Sequence, residues 1–128
     1  MLEAKRILVV DDEPDLIKTV RLRLEKRGYA VISAADGQEA LEKARSEKPD
    51  LIILDLMLPK LSGYQVCRML KFDEQYKNIP IIIFTARAQE QDKKTSLEVG
   101  ADAYLSKPFE PEVLLDKVDS LLNISKKS

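Results

Sequence analysis

The segment Leu51-Ile52-Ile53-Leu54-Asp55 constrains the chain most: four apolar residues run straight into a carboxylate. A run with no polar alternation suits a strand buried on both faces, the habit of parallel strands covered by helices on either side. Two further runs have this form. Ile7-Leu8-Val9-Val10 ends in Asp11-Asp12, and Ile81-Ile82-Ile83-Phe84 ends in Thr85. Ala30 to Ala34 reads as a shorter, less apolar strand, and Tyr104-Leu105 as the last one, ending near Ser106-Lys107-Pro108.

The stretches between these runs keep helical spacing. Pro14 suits the first turn of a helix, with Glu13 and Asp15 at its positive end, and Leu16, Ile17, Val20 and Leu24 line one face up to Gly28. A second helix from about Gly37 to Ser46 buries Ala40, Leu41 and Ala44. Beyond the loop from Leu58 to Ser62, Gly63 opens a third, with Val66, Met69 and Leu70 on its inner face. The fourth helical stretch, Arg87 to Thr95, is nearly all polar and reaches its first large apolar anchor only at Leu97. It has little to bury before Gly100 ends it, and is expected to be the loosest element. The last helix buries Leu114, Val118, Leu121 and Leu122. Strands alternating with helices imply a parallel α/β sheet, helices on both faces and right-handed crossovers. The expected unit is one domain over 1–128, with a core over 5–123 and a frayed tail over 124–128.

Composition narrows the function. Lys and Arg number 21 against 22 Asp and Glu, a balance that leaves no footprint for nucleic acid and no basic face for a membrane. No apolar run approaches the ~20 residues of a membrane span, and the N-terminus has no signal-peptide pattern, so a cytoplasmic site is expected. The absence of histidine excludes Ser-His-Asp, Cys-His and histidine-ligated zinc chemistry. The single cysteine, Cys67, excludes an internal disulfide and reads as a small helix residue without a redox role.

Ligands of open parallel sheets bind at the carboxyl ends of the strands. Here those ends deliver Asp11 and Asp12, then Asp55, then Thr85, then Lys107. Each has an ordinary reading alone: an acid pair caps helices, threonine favours strands, and a lysine before proline is a loop charge. As a set they point to chemistry. Three clustered carboxylates must protonate, separate or bind a cation. An all-oxygen donor set favours Mg²⁺, with Mn²⁺ possible. A carboxylate beside a bound phosphate can act as nucleophile, giving an acyl phosphate. The Lys107 ammonium suits a phosphate oxygen, and the Thr85 hydroxyl can donate to another.

ILVVDDEP, DLIILDLMLP followed by Gly63, PIIIFTA and GADAYLSKPF, in that order, resemble the receiver domain of two-component response regulators. The resemblance covers about Lys5 to Asn123. It implies a flavodoxin-like, doubly wound sheet of five parallel strands in the order 2-1-3-4-5. It implies phosphorylation of Asp55 by a sensor histidine kinase or histidine phosphotransfer protein, or by a small phosphodonor. Mg²⁺ would be held by Asp11, Asp12 and Asp55 with the Met57 backbone carbonyl, Asp12 being the more direct ligand of the acid pair. Thr85 and Tyr104 match the switch pair, Lys107 the phosphate-contacting lysine, and Lys107-Pro108 the family's cis peptide. The expected protein is a phosphorylation switch with slow self-dephosphorylation, not a turnover enzyme. Its downstream protein partner is unnamed, and the domain itself touches neither nucleic acid nor membrane.

DLMLP and Thr85-Ala86-Arg87 look most like receivers of winged-helix transcription regulators, which dimerise through the fourth helix, fifth strand and fifth helix. This chain departs from them there: Ala103 and Val113 stand where acids are expected, and Lys117 where an arginine is. Either a monomer or a phosphorylation-dependent homodimer is compatible with that. Because the sequence ends just after the last helix, a stand-alone receiver is expected, the alternative being the receiver fragment of a DNA-binding transcription regulator. Three competitors fit less well. A haloacid-dehalogenase-type phosphatase needs an acid where Met57 stands. A constitutive adaptor need not keep repelling carboxylates. A nucleotide-binding Rossmann domain needs a glycine-rich first turn instead of Asp-Asp-Glu-Pro-Asp.

Overall fold

The uninterrupted apolar runs form the middle of one sheet. In the computed structural model, which describes residues 4–86, 94–95 and 98–122, the strands are β1 (Arg6–Val10), β2 (Ala30–Ala34), β3 (Leu51–Asp55), β4 (Ile81–Thr85) and β5 (Ala103–Ser106). All pair in parallel, in the order β2-β1-β3-β4-β5. The helices bounded within the described residues are α1 (Pro14–Lys26), α2 (Gly37–Glu47), α3 (Gly63–Lys71) and α4 (Pro111–Leu122).

Alternate strand residues serve two separate cores, which is why the strands show no polar alternation. Leu8, Ile52, Leu54 and Ile83 face Leu41 and Ala44 of α2 and Val66 and Leu70 of α3. Ile7, Ile53, Ile82 and Phe84 face Leu24 of α1 and Leu114 and Val118 of α4. The sheet is therefore doubly wound, with α2 and α3 on one face and α1 and α4 on the other.

The free edge of β2 is guarded. Its outward carbonyls are taken by long cations: Arg21 donates to the Val31 carbonyl at 3.0 Å, and Lys43 to the Ser33 carbonyl at 2.7 Å. Capping an edge strand this way blocks pairing with another chain.

Two helix faces differ from their expected patterns. Met69 is 44% exposed, whereas Cys67 is fully buried with its thiol 3.6 Å from the Val99 carbonyl. The stripe of α3 is Gly63, Val66, Cys67 and Leu70, an i, i+3, i+4, i+7 series that Met69 does not join. Burial pushes the Cys67 thiol up to about 12, so it stays protonated and inert. In α4 the buried set is Leu114, Leu115 and Val118, with Leu121 and Leu122 only half-buried near the helix end. The polar stretch Arg87 to Thr95 falls mostly outside the described residues, as does the tail over 123–128. Among the described residues no helix is long and apolar enough to cross a membrane.

Candidate functional site

Parallel register brings the strand ends to one edge. Val10 lies beside Leu54, Asp55 beside Phe84, and Thr85 beside Ser106. The residues that follow or end these strands therefore converge. Asp11, Asp55 and Thr85 are buried, Asp12 is exposed, and one carboxylate oxygen from each of the three aspartates lies within 4.8 Å of the others.

Lys107 is threaded into this group. Its ammonium donates to Asp11 Oδ2 at 2.8 Å and lies 3.6 Å from Asp55 Oδ2 and 3.7 Å from Glu13 Oε1. It also sits 4.9 Å from the centre of the Phe84 ring. Its own backbone N–H donates to the Thr85 carbonyl at 2.7 Å, fixing the strand end that carries it. The Lys107-Pro108 peptide is cis. Asp11 is held further by the Glu13 backbone N–H, which donates to Oδ1 at 2.8 Å. The Met57 N–H donates to Asp55 Oδ1 at 3.3 Å.

The electrostatics follow from this packing. Burial raises the Asp55 carboxyl to about 6, helped by the charges of Asp11 and Asp12 and opposed by Lys107 and the Met57 N–H. Burial alone would depress the Lys107 ammonium. The hydrogen bond to Asp11 and the charges of Asp55, Asp11 and Glu13 outweigh it, and its affinity for the proton stays above the ordinary lysine value. Lys107 is therefore a permanent cation, while Asp55 takes up a proton far more readily than an ordinary aspartate and is still mostly ionised at neutral pH.

The loop after β3 needs glycine. A Cβ on Gly63 would stand 2.2 Å from the Asp55 carbonyl oxygen, so only glycine lets α3 begin against the strand end. The Gly63 N–H donates to the Leu56 carbonyl at 2.9 Å, and Ser62 and Gln65 close a reciprocal cap on the first turn of α3. Met57 projects from this loop with 55% of its surface exposed. Tyr104 is half-buried on β5 against the core that α2 and α3 cover.

Asp11, Asp12, Asp55, Thr85 and Lys107, singled out from the sequence, thus share one edge. Arg87 lies outside the described residues. Sequence reasoning passed over two neighbours, Glu13 and Phe84. Glu13 reads as a helix-start acid and Phe84 as a core residue, and only the position of Lys107 makes either part of the site. The donor set, three carboxylates without histidine or thiolate, fits a hard divalent cation.

A family model of the response regulator receiver domain matches residues 7–119. The chain belongs to this family. It is 50% identical over 121 residues to the alkaline phosphatase synthesis transcriptional regulatory protein PhoP of Bacillus subtilis, covering 94% of this chain and 50% of that protein. It is 46% identical over 117 residues to the DNA-binding dual master transcriptional regulator RpaA of Synechocystis, covering 91% of this chain and 48% of that one. This receiver thus spans about half the length of the curated relatives it matches. A solved structure of a putative response regulator from Chloroflexus aurantiacus superimposes with a TM-score of 0.90 at 36% identity, over 94% of this chain and 99% of the other. The chain is a receiver domain of the two-component response regulator family with a flavodoxin-like fold.

Proposed function

We propose that this receiver takes a phosphoryl group onto Asp55 from a histidine kinase or histidine phosphotransfer protein. The observation that carries the reading is the cluster of Asp11, Asp12 and Asp55 with Lys107 set into it. An Asp55 oxygen attacks phosphorus, the P–N bond to the donor imidazole breaks, and the leaving nitrogen keeps the electron pair. At about pH 7 Asp55 is largely ionised and competent as nucleophile, since its carboxyl titrates near 6. Lys107 meets the negative charge brought to the site, and the Met57 N–H holds Asp55 Oδ1 in position. Held by Asp11, Asp12, Asp55 and the Met57 carbonyl, Mg²⁺ (or Mn²⁺) would neutralise phosphoryl oxygens.

Thr85 and Tyr104 are the proposed switch pair. The Thr85 hydroxyl moves to the new phosphoryl oxygens, and Tyr104 turns inward, biasing the fifth strand and its flanking helices between two surfaces. The single domain over 1–128 acting in the cytoplasm is part of the same proposal. A second reading, in which the output is transcriptional, is favoured by the names of PhoP and RpaA. The first test is intact mass after incubation with Mg²⁺ and acetyl phosphate. One phosphoryl adduct in the wild type and none in Asp55→Asn is expected; an adduct that persists in Asp55→Asn would place the chemistry elsewhere.

A further inference from the structure

A groove of about 820 Å³ opens beside the acid cluster, between the start of α1 and the connection from β5 to α4. Its volume is within the range that holds a small organic molecule. Its walls are stiff and apolar: Pro14, Pro108 and Pro111 line it, with Phe109 anchored on Phe84 at a ring separation of 5.7 Å. Val20 closes part of the floor.

The charge at its rim has one sign to spare. Among the described residues of the lining, Asp12, Glu13 and Asp15 stand against one cation, Lys107. That cation is already committed to Asp11, with Asp55 and Glu13 close by. Asp15 is exposed, and no ion pair involves it among the described residues.

An anion would find little here. The start of a helix ordinarily attracts one through free N–H groups. In α1 the Glu13 N–H is spent on Asp11 and Pro14 has none to offer, and the first-turn N–H groups of Asp15 and Leu16 stand beside the carboxylates of Asp12, Glu13 and Asp15, which repel an anion. The Thr19 hydroxyl, also in the lining, is spent on the Asp15 carbonyl.

We propose that this groove binds a small organic cation with an apolar body, of the arylalkylammonium class. The ring lies against Phe109 and the prolines, and the ammonium meets Asp15 and the acidic rim. Because Asp12 and Lys107 line the same groove, an occupant stands in the approach to Asp55 and slows its phosphorylation. That second part rests on the proposed function.

Three probes that share the phenethyl body decide the first part: phenethylammonium, 2-phenylethanol and 3-phenylpropionate, titrated by ¹H–¹⁵N NMR with saturating Mg²⁺. Saturable shifts confined to residues 12–20 and 107–111 are expected for the ammonium, with the alcohol weaker by roughly tenfold and the carboxylate weaker still. Asp15→Asn, an exposed change that leaves the core alone, should weaken the ammonium about three- to fivefold and leave the alcohol unchanged. Equal affinity for ammonium and alcohol, indifference to Asp15→Asn, or shifts elsewhere would overturn the cation site. The second part is read from the rate of acetyl phosphate labelling with and without saturating phenethylammonium. Slowing is expected, and an unchanged rate would overturn it. If the chain takes no phosphoryl group even with the groove empty, the proposed function fails while the binding result stands.

Discussion

Asp55 shows how one residue can be set against the stability of its own domain. Its carboxyl is raised from 3.8 to about 6, chiefly by burial. A raised acid binds more protons in the folded state than in the unfolded one, so stability falls as pH climbs through this window. The penalty is absent below about pH 4 and complete above about pH 6, where it amounts to about 3 kcal/mol. Asp55→Asn is therefore expected to stabilise the metal-free protein by up to about 3 kcal/mol at neutral pH. The gain should vanish in urea melts below about pH 4, and a gain independent of pH would point to a different cause. Met57 acts on the same atom in another way. Its exposed side chain projects from the residue whose N–H binds Asp55. We expect it to screen the phosphoryl group from attacking water. Met57→Asn should shorten the lifetime of the phosphorylated form by about tenfold, or ~1.4 kcal/mol in barrier, in a decay followed by intact mass. A lengthened lifetime would reverse that assignment.

At the scale of elements, the site depends on how closely α3 docks against β3. The distance of 2.2 Å between a Cβ built on Gly63 and the Asp55 carbonyl leaves no room for the smallest side chain, and the obstacle is backbone. Gly63→Ala should lose about 3 kcal/mol, seen as a lower urea midpoint, because α3 or the strand end must shift. Phosphorylation should slow in the same variant even where it remains folded. A normal rate in a destabilised variant would show that the strand end holds Asp55 without help from α3. The far end of α3 is also tied down. Lys71 donates to the Lys77 and Ile79 carbonyls at 3.0 and 2.9 Å and pairs with Asp102 at 2.8 Å. Asp102 in turn accepts the first N–H of β4. Both ends of this helix are thus referenced to strands that carry site residues.

For the whole molecule the open matter is association. The surface formed by β5 and α4 carries Ala103, an exposed Val113 and Lys117, without the acids and arginine expected of dimerising receivers. Exposed ion pairs contribute little singly, but they set partner choice by repelling wrong registers. Light scattering with Mg²⁺ and beryllofluoride, a phosphoryl mimic on Asp55, is expected to report a monomer at micromolar concentration. The triple change Ala103→Asp, Val113→Glu, Lys117→Arg should shift the activated form toward dimer. A wild-type dimer appearing only with the mimic would mean that apolar contact through Val113 replaces the ion pairs.

The order of elements was legible in the residues because periodicity survives folding. Short unbroken apolar runs rich in β-branched residues suit strands covered twice, and the stretches between them repeat at helical spacing. The strand ends then had to carry the chemistry, since parallel strands present their last residues on one edge. The sequence alone could list Asp11, Asp12, Asp55, Thr85 and Lys107 on that edge. It could not show that Lys107 reaches Asp11 more closely than Asp55, because that depends on the path of the chain after β5. It could not place Met69 outside and Cys67 inside, since both are apolar and only the docking angle of α3 chooses between them. The burial that raises Asp55 also belongs to the assembled sheet: β1 and β4 flank β3, and the α3 turn presses on the strand end. Local patterning determined which groups would meet; tertiary packing decided their distances, their solvation and hence their charge.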